Sequence, residues 1–296
     1  MRRHNTKQVG ARKRTSINRI ILYVAALLWV LYYTGYLISF ARHEDNLIID
    51  IIDTTTTSAG EFQKCSLEGS FTPPSEIIID YTKIRRMDKS PLDKVKGFTV
   101  ESYEEYMLSD AGREHYPFLN YISASYGDCR HITDIGTRYV ASSLAIGSNL
   151  ETPVWTFDIP SSTERQAAFR GKSEDDWQKQ VQSVGVNVKF HNLDLLKVSK
   201  EDLRKYLGTF FVMLDTFHEP DSQPFEREFF QRMLDIGYKG ILGLDDIHLN
   251  PEMERWWKEL QDGAALGGYK TYDITEVGHF SGTGIVDFSG LVVIKK

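Results

Sequence analysis

The chain has 296 residues, 41% hydrophobic and 26% charged, which excludes a disordered or fibrous protein and is enough to bury a full α/β core. The net charge of −6 is unevenly divided: residues 1–19 hold seven basic side chains (Arg2, Arg3, Lys7, Arg12, Lys13, Arg14, Arg19) and no acid, leaving 28 basic against 41 acidic groups elsewhere. That acidic body argues against nucleic acid as a partner, because phosphate binding needs a basic face. The two cysteines, Cys65 and Cys129, exclude a disulfide scaffold and a cysteine-rich zinc site; their spacing leaves pairing and free thiols both open.

In chain order, the basic tail 1–19 is followed by residues 20–40, IILYVAALLWVLYYTGYLISF, without a charge. A helix of this length spans about 30 Å, the hydrocarbon thickness of a bilayer. Tyr23 and Tyr36 lie near its ends, where aromatic belts sit, and the apolar run is too long and its exit too poor for a cleaved signal peptide. The positive-inside rule places the tail in the cytosol and the large domain across the membrane, as a single-pass type II protein. This topology resembles that of Golgi-resident enzymes, so an endomembrane location with a lumenal catalytic domain is expected. Residues 41–95, with Thr54–Thr57, Ala59-Gly60 and Pro73-Pro74, read as a stem, and 96–296 as the folded domain.

Within that domain, Val100 to Ile122 reads as a lead-in amphipathic helix. Short apolar runs then alternate with helical stretches, and the strand candidates are His131–Ile135, Val154–Asp158, Val186–His191, Phe210–Asp215 and Gly240–Asp245. Tyr269–Thr275 and Gly284–Ile294 have no helix of useful length between them and read as an antiparallel hairpin. Five β/α units and a terminal hairpin predict an α/β, Rossmann-like, mostly parallel seven-stranded sheet.

Chemistry-bearing residues fall at the strand ends. Gly136 follows the first strand, where a glycine lets backbone approach a ligand, with Ser142 or Ser143 at the next helix start. Asp158 ends the second strand, placed to accept ribose hydroxyls, and Asn192-Leu193-Asp194 follows the third. Asp215, with His218 three residues on, ends the fourth strand, and Asp245-Asp246, followed by His248, ends the fifth. Three converging carboxylates repel unless protonated or bridged, and oxygen ligands suit Mg²⁺ or another hard divalent cation. The competing reading makes Asp246 a helix cap and the other two turn acids. His248, Trp256 and Trp257 are candidates to line an acceptor site, with core packing the alternative for the tryptophans. The glycine-rich loop Gly278–Gly284 is expected to shape a binding edge.

DIGTRYVASS, VWTFD, NLD, VMLDTFH and ILGLDDIH resemble successive motifs of class I S-adenosylmethionine (SAM)-dependent methyltransferases. Within that group they resemble metal-dependent O-methyltransferases, of both the catechol/caffeoyl-CoA type and the macrocin-type sugar enzymes. The resemblance covers residues 130–294 and implies cofactor contacts at Asp134, Gly136, Ser142, Asp158 and Asp194. It further implies metal ligands at Asp215, Asp245 and Asp246, and a general base at His218, where the catechol-type enzymes carry a lysine. Val140 stands where the family has another glycine. The acceptor implied is a small-molecule or glycan hydroxyl. Two alternatives stand beside this reading: a metal-dependent glycosyltransferase of type II topology, and a methyltransferase-like binding module without turnover.

Full-length protein is expected to stay with membranes through alkaline carbonate extraction, and its C-terminus to resist added protease in intact microsomes. Digestion without detergent would reverse the orientation.

Overall fold

The computed structural model describes residues 75–127, 131–149, 153–158, 163–216 and 223–296. The apolar segment 20–40, Cys65, Cys129 and His218 lie outside the described residues. Among the described residues, no helix is long and apolar enough to cross a membrane.

The chain enters through β1 (Ile77–Asp80) and the helices α1 (Tyr81–Arg85), α2 (Ser90–Val95), α3 (Glu101–Met107) and α4 (Tyr116–Tyr126). The alternating part follows as β2 (Ile132–Ile135), α5 (Ala141–Gly147), β3 (Val154–Asp158), α6 (Thr163–Ala168), α7 (Glu174–Ser183) and β4 (Val188–Asn192). It continues through α8 (Lys200–Tyr206), β5 (Phe211–Leu214), α9 (Gln223–Ile236), β6 (Ile241–Asp245) and α10 (Pro251–Gly267). The last strands are β7 (Lys270–Asp273), β8 (Thr283–Asp287) and β9 (Val292–Lys295).

Seven strands form one sheet in the order β4-β3-β2-β5-β6-β8-β7. Neighbours from β4 to β6 pair in parallel, and β8 runs antiparallel to both β6 and β7. This is the mostly parallel, Rossmann-like arrangement the sequence predicts. Every residue of β2, β5 and β6 is buried, as expected for central strands covered on both faces, and this explains the apolar runs Phe211–Leu214 of β5 and Ile241–Leu244 of β6. Two apolar cores flank the sheet, one containing Phe118, Leu144 and Trp177, the other Phe229, Leu242 and Trp256.

The expected strand Gly284–Ile294 is two strands. Asp287 ends the first: its Oδ1 accepts the backbone N–H groups of Ser289 and Gly290 at 2.9 and 2.8 Å, and its Oδ2 accepts that of Val292 at 3.1 Å. This turn takes β9 out of the main sheet and pairs it in parallel with β1, Ile77 opposite Val292. The folded body therefore starts at least as early as Ile77, inside the segment expected to be stem. Ile77, Ile79, Tyr81, Ile84, Leu92 and Val95 are all buried in the first core. Their spacing shows neither sustained alternation nor a long helical period, because the elements they occupy are only four to six residues long.

Ile79 is fully buried. Ile79→Ala is expected to destabilise the fold by about 2–5 kcal/mol in denaturant unfolding, as for other core truncations; a change within about 0.5 kcal/mol would return this segment to the stem.

Candidate active site

The chain order reverses across β2 and β5: β3 and β4 are added on one side, β6 and β8 on the other. Loops leaving the carboxyl ends of these strands diverge there, and such a switch point is where open α/β sheets bind ligands. A cleft of about 240 Å³ opens at this place, lined among others by Tyr103, Glu114, His115, Gly136, Ser142, Asp215, Asp245, Asp246 and His279.

On the β2 side, Gly136 has φ +97°, and a Cβ on it would lie 1.8 Å from the Asp215 carbonyl oxygen. The glycine thus lets the exits of β2 and β5 close on each other, fixed by the Asp215 N–H donating to Ile135 O at 2.9 Å. Ser142 donates its hydroxyl to Asp134 Oδ2 at 2.9 Å, and Ser143 donates to the same oxygen. Asp134 is wholly enclosed, so it positions the start of α5 from beneath and does not face the cleft. Its burial pushes the carboxyl up to about 6 against the pull of the two serines. With its proton committed to Asp134, Ser142 offers a ligand only lone pairs.

Val140 takes the left-handed conformation (φ 66°, ψ 5°) that favours glycine. Its side chain is fully buried in the first core and is absent from the cleft lining. The valine therefore leaves the cleft open.

On the β6 side a charge cluster forms around Asp245, a buried carboxylate. Its Oδ1 lies 3.2 Å from Nδ1 of His115, the residue preceding α4, and 3.5 Å from Nδ1 of His279, in the β7–β8 loop. The His279 Nδ1 also sits 3.0 Å from Asp246 and 2.6 Å from the Ser281 hydroxyl, while its Nε2 faces Glu114 at 3.6 Å. Ser281 donates to Asp246 as well. Burial alone would lower both imidazoles. The charge and hydrogen bond of Asp245 outweigh burial at His115, which is pushed up to about 9. Hydrogen bonds donated by His279 to Asp245 and Asp246 likewise outweigh burial, and it is pushed up to about 10. Burial acts to raise Asp245, but the two histidines hold it well below the usual carboxylate range. Glu114 is raised, chiefly by burial.

The mouth of the cleft is aromatic. Tyr103 lies against Tyr139 (centroids 4.8 Å) and Tyr106 (5.5 Å), and Phe280 is exposed on the glycine-rich loop, which does edge the cleft.

Among the expected cofactor residues, Asp158 and Asn192 are register partners at the carboxyl ends of β3 and β4. Neither lines the described cleft. Asp194 is committed to its own turn, accepting the Leu196 N–H at 3.0 Å and pairing with Lys197 at 3.1 Å. Of the acids expected to hold a metal, Asp215, Asp245 and Asp246 all line the one cleft. His248 instead pairs with Asp273 at 2.8 Å, and Trp256 and Trp257 are buried in the second core. Sequence reasoning missed Glu114 and His115, which precede the alternating region. It noted the loop of His279 for its glycines and passed over the imidazole.

No protein-family profile matches the chain, and no curated protein does. Solved structures with a similar fold include a putative caffeoyl-CoA O-methyltransferase from Staphylococcus aureus (16% identity, 57% of this chain and 82% of that one, TM-score 0.38). A putative O-methyltransferase from Klebsiella pneumoniae is another (14%, 69% and 92%, TM-score 0.40). A third is the S-adenosylhomocysteine-bound methyltransferase PaMTH1 of Podospora anserina (13%, 58% and 76%, TM-score 0.38).

Val140→Gly would relieve about 1–2 kcal/mol of left-handed strain but lose about 2–3 kcal/mol of buried side chain. The expected result is a net destabilisation of about 1 kcal/mol with unchanged cofactor affinity; a tighter-binding variant would show that the valine obstructs the cleft.

Proposed function

We propose that this chain is a SAM-dependent O-methyltransferase acting on a hydroxyl of a small molecule or glycan. The observation that carries the reading is the arrangement of strand ends. Gly136 brings backbone to the switch point, Asp158 closes the adjacent strand, and the acid- and histidine-lined cleft opens on the other side. The residues fit a nucleoside cofactor: the half-buried Asp158 carboxylate supplies acceptors for paired ribose hydroxyls, and Gly136, on the cleft wall, lets the exits of β2 and β5 close beside it. When bound, SAM supplies an electrophilic methyl group on a sulfonium.

The chain's own part is to orient the acceptor and take its proton. Tyr103, Tyr139 and Phe280 give a planar acceptor ring faces to pack on, and this wall keeps water from the hydroxyl. Among the described residues, Glu114 and Asp215 line the cleft and are the carboxylates placed to take the acceptor's proton. His218, outside the described residues, is the further candidate base. A divalent cation such as Mg²⁺ against Asp215, Asp245 and Asp246 would lower the hydroxyl's pKa as a Lewis acid. Anchoring through residues 20–40 with the site in an endomembrane lumen completes the proposal, and the charge asymmetry supports it.

Calorimetric titration of the full-length protein in detergent is the test, with SAM in one arm and UDP-sugars in the other. SAM is expected to bind, with Asp158→Ala weakening it about 10–100-fold through loss of charge-assisted hydrogen bonds. UDP-sugar binding without SAM binding would replace this reading with a glycosyltransferase.

A further inference from the structure

Among the described residues, one group of three histidine or acidic side chains offers ligand atoms all within 4.8 Å of one another: His115, Asp245 and His279. It differs from the three-aspartate set that the sequence suggests, sharing only Asp245. Two ligand atoms bound at about 2.1 Å to one ion, at angles between octahedral and tetrahedral, lie about 3.0–3.4 Å apart. The two imidazole Nδ1 atoms stand 3.2 and 3.5 Å from Asp245 Oδ1, close to that spacing before any ion draws them in.

A further feature points the same way. His279 presents Nδ1 to Asp245 and Nε2 to Glu114, the carboxylate–imidazole–metal order in which an outer acid fixes the ring that binds the ion. The three residues come from separate elements: the residue before α4, the end of β6 and the β7–β8 loop. All three line the cleft, so an ion there would keep open positions toward it.

We propose that His115, Asp245 and His279 form a binding site for a first-row transition metal ion, with Glu114 holding His279 in place. Two imidazole nitrogens beside one carboxylate favour Mn²⁺, Fe²⁺, Co²⁺ or Zn²⁺ over Mg²⁺, which prefers an all-oxygen shell. Binding stands on these residues alone. That the ion activates an acceptor hydroxyl rests on the methyltransferase reading above.

The test uses full-length protein in detergent, stripped with chelator and titrated with Co²⁺. Visible absorption is expected to develop to one equivalent and to persist in a large excess of Mg²⁺. His115→Ala and His279→Ala should each weaken Co²⁺ binding about 100-fold or more, and Glu114→Gln about tenfold. Because the histidine variants remove buried groups, electron–nuclear double resonance on Mn²⁺-loaded wild-type protein supplies a second readout, with coupling to two imidazole nitrogens expected. No Co²⁺ binding, displacement by equimolar Mg²⁺, or a Mn²⁺ signal without nitrogen coupling would each overturn the site. SAM titrations on the same stripped protein separate the two readings: SAM binding without metal binding sinks only the site, and the converse sinks only the methyltransferase.

Discussion

One buried charge organises this end of the molecule. The Asp245 carboxylate closes a strand whose residues are all enclosed, where an uncompensated ion costs several kcal/mol. Compensation comes from His115, 130 residues earlier in sequence, and from His279, 34 residues later. To deliver those rings, α4 must begin against the end of β6, and the β7–β8 loop must fold back over it. Ser281 and Asp246 then brace His279 from the loop side. The shape of this side of the cleft follows from neutralising that carboxylate, and the β7–β8 loop that carries His279 also brings Phe280 to the aromatic mouth.

The sheet was legible in the sequence because central strands buried on both faces include apolar runs such as Phe211-Val212-Met213-Leu214. The acids at the strand ends were legible for a related reason: a charge directly after such a run sits at an edge of the sheet. His115 was not. Nothing local distinguishes a histidine before a Tyr-Pro helix start from an ordinary surface residue, and its meaning depends on a partner distant in sequence. The β1–β9 pair was hidden likewise, since four-residue strands carry too few alternations to register and their pairing is non-local.

Several residues of the cofactor pattern have structural work that the pattern does not disclose. Asp134 lies beneath the loop and anchors Ser142 and Ser143. Asp194 ties its own turn. Val140 holds a left-handed backbone with a side chain that repays part of the strain by packing inward. A motif can thus preserve a loop's path while some of its members never meet a ligand.

The pairing of β1 with β9 joins the two ends of the folded domain, Ile77 meeting Val292. During synthesis β1 leaves the ribosome early but has no partner strand until β9 is made. The edge of β1 must therefore wait, unpaired, through the growth of the whole central sheet. Truncation before Val292 would leave that edge permanently open.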